Sequence, residues 1–165
     1  MAKLGITENQ MHKFNNKPAG LAALVGAFLA VAANMPAAAH HSFAMYDQTK
    51  DVTLTGRLVR FVPGGNHAQL IFQLVDERGE GRVDEDGRDM IWGVETAPSA
   101  TIARDGITVK SFPLGTVLTV TLNPLRDGRP FGALARGSSI IKCGDTLPAR
   151  GCTAETGESF LGQRE

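Results

Sequence analysis

Between residues 52 and 141 the chain carries five short runs in which apolar and polar residues alternate, separated by turns rich in Gly, Pro and Asp. A repeat of two is that of a half-buried strand, and it confines this region to a small β-structure. In the first run Val52, Leu54, Gly56 and Leu58 alternate with Thr53, Thr55, Arg57 and Val59, and the run reaches Phe61. Pro63, Gly64, Gly65 and Asn66 turn the chain into a second run over residues 67–76, with Leu70, Phe72 and Leu74 on one face. Residues 77–88 hold five acids, three bases and three glycines, which predicts a long solvated hairpin loop. The third run, residues 89–95, presents Met90, Trp92 and Val94 on one face. After Pro98 the pattern predicts a short helix over residues 99–104, ended by Asp105 and Gly106. Residues 116–122 (TVLTVTL) form the fourth predicted strand, residues 123–128 a turn, and residues 132–141 the fifth strand.

Three strands, one short helix and two strands within about 90 residues is the element order of an OB-fold. The expected architecture is therefore all-β and mainly antiparallel: a five-stranded, OB-like Greek-key barrel with one short helix between strands 3 and 4. A β-sandwich would ask for about seven strands.

Residues 1–39 read as a signal peptide. Lys3, Lys13 and Lys17 form a basic start, residues 21–33 are a continuous apolar stretch of 13, and Ala37 and Ala39 satisfy the small-x-small rule for cleavage before His40. A spanning helix needs about 20 apolar residues, and Asn34 and Pro36 follow this stretch closely. Met11 is an alternative start that would shorten the leader. The expected organisation is a cleaved leader (1–39), a barrel domain (40–142), and a disulfide loop with a polar tail (143–165), in the periplasm or secreted. The mature chain of 126 residues has 14 basic and 16 acidic residues, and that balance argues against nucleic-acid and anionic-membrane partners, which call for a basic patch.

Export also bears on Cys143 and Cys152, the chain's two cysteines, in CGDTLPARGC. In an oxidising compartment an even pair around a Gly/Pro-containing loop predicts a disulfide. A redox pair would more often be spaced CxxC, and a thiolate metal site would need further ligands. Beyond Cys152 the sequence is polar and predicts a frayed tail.

HHSFAMYD at residues 40–47, followed by VTLTG at 52–56, resembles the start of a family of small exported bacterial proteins, domain of unknown function family 6152. The likeness continues through residues 92–95 with Pro98, and through residues 123–128. Members typically carry Asn-Pro-His before the second strand. Here the stretch is Gly65, Asn66, His67, so the histidine is kept and the proline is not. The resemblance implies export but no activity, since the family has none assigned.

The chemistry must come from the residues. A histidine at a free N-terminus offers its α-amine and an imidazole nitrogen to one metal ion, and a third nitrogen would complete a T-shaped site favouring Cu(II). His40 would be that residue, with His67 or His41 as the third ligand. His67 is the better placed if the chain between His40 and Val52 folds back along the first strand, which requires a tight turn at residues 47–50. Three other readings stay open: HHSF as a plain edge-strand opening in which Phe43, Met45 and Tyr46 pack; cleavage one residue earlier, placing His41 third; and His67 as a loop histidine capping its strand. Trp92 reads as core, and Glu95 as an ion-pair partner of an arginine.

Three functions follow. The first is a periplasmic metal-binding protein, for copper above other metals, using His40 with His67 and His41. The second is a non-catalytic binding or accessory module, whose loops at residues 62–67 and 123–131 hold a small ligand or a partner enzyme. The third is an oxidative copper enzyme, which would need an aromatic-rich substrate surface that one Trp, one Tyr and eight Phe do not evidently supply. No Ser-His-acid set, phosphate loop or carboxylate pair is evident, so catalytic residues are not assigned.

Overall fold

The computed structural model describes residues 43–64 and 66–162. Seven strands lie in one sheet: β1 (Val52–Val62), β2 (Gln69–Leu74), β3 (Ile91–Glu95), β4 (Val117–Pro124), β5 (Phe131–Leu134), β6 (Ser139–Gly144) and β7 (Glu158–Leu161). One helix, α1 (Ser99–Arg104), stands between β3 and β4. Pairing runs β1-β2-β3-β5-β4 and then returns from β4 to β1, closing five strands into a barrel. The closing seam is antiparallel, from Val52 opposite Leu122 to Arg57 opposite Val117. Only β3 and β5 run parallel. The OB-like all-β barrel, with one short α-helix after the third strand, is thus the fold of the described residues. Among the described residues no helix is long and apolar enough to cross a membrane.

The alternation in sequence becomes inside and outside. Leu58, Leu70, Phe72, Val94, Leu118, Val120, Leu122 and Leu134 are buried in one core, and Val52, Leu54, Met90 and Trp92 pack against it partly exposed. Each of these large side chains, when fully buried, contributes about 1.5–3 kcal/mol of transfer free energy. From α1, Ile102 enters the same core, followed by Ile107 and Phe112.

Two parts of the chain depart from expectation, the fifth strand and the tail, while residues 77–88 form the expected solvated hairpin connection between β2 and β3. The fifth strand is broken: Ser138 donates to the Ala135 carbonyl in a turn, which splits the run into β5 and β6. Both halves still pair with β4, β5 at residues 122–124 and β6 at residues 117–119.

As far as Gly162 the tail is not frayed. The Cys143–Cys152 disulfide, with Cα atoms 5.8 Å apart, holds the chain against β6. β7 then pairs with β6 from Ser139 opposite Leu161 to Lys142 opposite Glu158. Phe160 packs edge-on against Phe112 with ring centres 5.0 Å apart, and Ala97 donates its N–H to the Gly162 carbonyl. One buried aromatic contact and a covalent anchor outweigh the polar composition that surrounds them.

Residues 77–88 are ordered by two successive tight turns. Asp76 Oδ1 accepts the N–H groups of Arg78 and Glu80, and Asp84 Oδ1 accepts those of Asp86 and Arg88. Gly79 and Gly87 take the positive φ that each turn needs, 81° and 77°. These hydrogen bonds hold both aspartates below their ordinary pKa, backbone N–H bonds being the largest cause.

Candidate metal-binding site

His67 follows the turn into β2, and its backbone neighbours are fixed. Ala68 is fully buried, its N–H bonds the Ala97 carbonyl, and its own carbonyl accepts the N–H of Thr96. This ladder brings the end of β3 beside the His67 ring. Nδ1 lies 2.9 Å from the Thr96 carbonyl oxygen. A carbonyl can only accept, so Nδ1 carries the proton, and in the neutral ring Nε2 keeps the lone pair. The side chain is one-third exposed (33%), so that lone pair belongs to a ring open to solvent. A histidine tautomer set by a hydrogen bond on the far nitrogen is the arrangement metal ligands use.

Glu95, the last residue of β3, touches the same ring. Its Oε1 is 3.7 Å from His67 Nδ1, and its Oε2 accepts the Tyr46 hydroxyl at 3.1 Å. Among the described residues Glu95 faces a tyrosine and a histidine, not the expected arginine. Tyr46 is 2% exposed and packs with Leu125, Ala133 and Phe131 in a small second cluster. Burial first, then the Glu95 charge and the hydrogen bond to it, push the Tyr46 hydroxyl above its ordinary pKa.

The segment bearing Tyr46 is held at the end of β4. Asp47 donates its N–H to the Pro124 carbonyl, Tyr46 bridges Leu125, and Arg126 donates its N–H to the Met45 carbonyl. Phe43–Met45 is a single exposed 3-10 turn and not the edge strand that a plain reading of HHSF predicts. The turn at residues 47–50 is tight, as the fold-back requires. Lys50 donates its N–H to the Asp47 carbonyl, and Asp47 Oδ1 accepts from the hydroxyl and the N–H of Thr49. Residues 45–47 lie beside the end of β4, and the Tyr46 side chain reaches Glu95 at the end of β3.

His40 and His41 lie outside the described residues. Among the described residues no group of three His, Cys, Asp or Glu side chains is arranged to hold a metal ion. The structure therefore brings together His67, Glu95, Thr96 and Tyr46, and of these only His67 was picked out as a ligand from sequence. Tyr46 and Glu95 are 49 residues apart, and no spacing in the sequence links them.

The loop at residues 123–131 is folded on itself. Asp127 accepts the N–H and guanidinium of Arg129, which lower its pKa, and Arg126 lies 3.8 Å from Asp47.

A family model described as a family of unknown function (DUF6152) matches residues 28–134. No curated protein and no solved structure matches the chain. The matched span takes in Tyr46, His67, Glu95 and Thr96, together with the five strands of the barrel, and ends before β6, β7 and the disulfide.

Proposed function

The chain belongs to the family of unknown function DUF6152, and from that premise we propose that it is an exported protein that binds one copper ion through an N-terminal histidine. The observation that carries the reading is the His67 ring, one-third exposed and protonated on Nδ1 towards the Thr96 carbonyl, which leaves the lone pair on Nε2. Cleavage before His40 supplies the α-amine and imidazole of His40, and His67 supplies the third nitrogen, with His41 as the alternative third ligand. Six residues separate Tyr46 from His40, a reach of at most about 22 Å. Tyr46 starts that reach on the carboxylate that His67 also faces. The Cys143–Cys152 bond supports an oxidising compartment, and the periplasm fits both features.

The test is native mass spectrometry of protein exported to a bacterial periplasm, with and without one equivalent of Cu(II). A mass beginning at His40 that retains one copper against a weak chelator, and loses it in His67→Ala, supports the site. Copper lost at once from the wild type overturns it and leaves the barrel as a non-catalytic binding or accessory module.

A further inference from the structure

Residues 145–151 follow β6 and are closed into a loop by the Cys143–Cys152 bond. The loop lies against the turn at residues 76–80: a Cβ built on Gly79 would stand 3.1 Å from Leu147 Cβ. Arg57 of β1 reaches the same place. Its Nη1 donates to the Asp145 carbonyl at 2.7 Å and to the Gly115 carbonyl at 3.0 Å, and its Nη2 donates to the Gly79 carbonyl at 3.3 Å. One guanidinium thereby ties three separate loops together.

Little else holds the loop. Among the described residues, the one hydrogen bond that ties residues 145–150 to the barrel is that from Arg57 to Asp145. Gly151 donates its N–H to the Pro148 carbonyl, a bond within the loop itself. Beyond it the chain is fixed by other means: Thr156 Oγ1 donates to the Gly151 carbonyl, and β7 pairs with β6. Residues 145–150 are thus a strap anchored at both ends. One charge-assisted hydrogen bond and one apolar contact seat it, and one covalent bond draws it tight.

We propose that residues 145–150 form a redox-released strap, seated on the barrel by Arg57 and Leu147. A dithiol opens it in two exchanges. One thiolate of the dithiol attacks Sγ of Cys143, the more exposed of the two cysteines, and expels Cys152 as the thiolate. The second thiol of the reductant then closes on the first and frees Cys143. Two electrons and two protons pass to the cysteines, and the dithiol leaves as a cyclic disulfide. To lift, the freed strap gives up only the Asp145 bond and the Leu147 contact, while the five-stranded barrel stays closed without it.

Trypsin reads the strap directly, because Arg150 is exposed within it and a protease must take up extended chain on both sides of the bond it cuts. Arg60, in β1, reports opening of the barrel. The experiment digests the exported protein before and after treatment with a dithiol and follows cleavage after Arg150 and after Arg60 by mass spectrometry. Reduction is expected to speed cleavage after Arg150 by about 10- to 100-fold, since removing the loop constraint raises the open population, and to leave Arg60 unchanged. Reoxidation is expected to restore the slow rate. Arg57→Gln, with the disulfide intact, is expected to speed cleavage after Arg150 by a smaller factor. A change of less than twofold on reduction overturns the strap, and so does equal acceleration at Arg150 and Arg60, because the loop then opens only with the barrel. An Arg57→Gln protein cleaved at the wild-type rate overturns the seat. Should Arg57→Gln fail to fold, Leu147→Ala takes its place, and a wild-type rate there overturns the seat in the same way.

Discussion

A Cβ built on Gly56 would stand 2.5 Å from Cδ2 of Phe72, across the β1–β2 pair, and equally close to the Gln73 carbonyl oxygen. Phe72 is wholly buried at the centre of the barrel, and the Gln73 backbone is tied into its ladder, so neither can give way cheaply. Gly56→Ala is expected to destabilise the protein by about 1–3 kcal/mol, the range for overpacking a filled core. Urea unfolding followed by the fluorescence of Trp92 measures it, and a midpoint unchanged from wild type would contradict this packing.

Tyr46 is the chain's one tyrosine, so an ultraviolet titration of phenolate reads it alone. Its pKa is raised by burial and by Glu95, whereas in the unfolded chain it ionises near its ordinary value of about 10. A raised folded pKa gives stability that is complete below the unfolded value and declines as pH rises above it. Phenolate absorbance is therefore expected to appear only with alkaline unfolding, at a pH well above 10. A simple reversible titration near 10 in folded protein would show the hydroxyl to be free.

Asp47 works in the opposite direction. The Thr49 hydroxyl first and Lys50 second hold its pKa down at about 2. A lowered folded pKa gives stability that is present above the unfolded value, about 3.9, and is lost as pH falls towards 2. Wild type is expected to lose stability across that window more steeply than Asp47→Asn, as measured by urea midpoints at several acidic pH values. Parallel acid limbs would show that the carboxylate does not hold this turn.

Reduction of Cys143–Cys152, or replacement of both residues by Ser, reopens a loop with a sequence separation of 9. The chain-entropy cost of such a loop is about 2–3 kcal/mol. The loss is expected to fall first on β7, so amide hydrogen exchange of residues 158–161 should accelerate before that of the barrel strands. Uniform acceleration would mean that β7 and the barrel open as one unit.

The barrel was legible because its strands obey a simple rule. Leu70, Phe72 and Leu74 could be assigned to one face from spacing alone, and all three are buried. The break between β5 and β6 was legible in Arg136, Gly137, Ser138 and Ser139, four consecutive non-apolar residues whose glycine takes a positive φ of 73°, although the expected strand ran straight through them. β7 was missed because its main contact, Phe160 on Phe112, joins residues 48 positions apart. At the candidate site His67 was legible as a rare residue type beside a turn. Glu95 was not, because a carboxylate's partner is decided by which strand end meets which, and pairing with Tyr46 depends on a segment laid across β4 and β5. The ligands proposed at residues 40 and 41 rest on sequence and on reach.

The seam between β1 and β4 joins residues 60 to 70 positions apart. A chain emerging with its N-terminus first presents β1 long before β4 exists, and β2 can cover only one of its two edges. Until residue 124 is available, the other edge of β1 is an open template for any strand nearby, and contacts this distant in sequence form slowly. The strand made first is the one whose protection is completed late, so the hazard of mispairing is greatest during emergence, before the barrel can close.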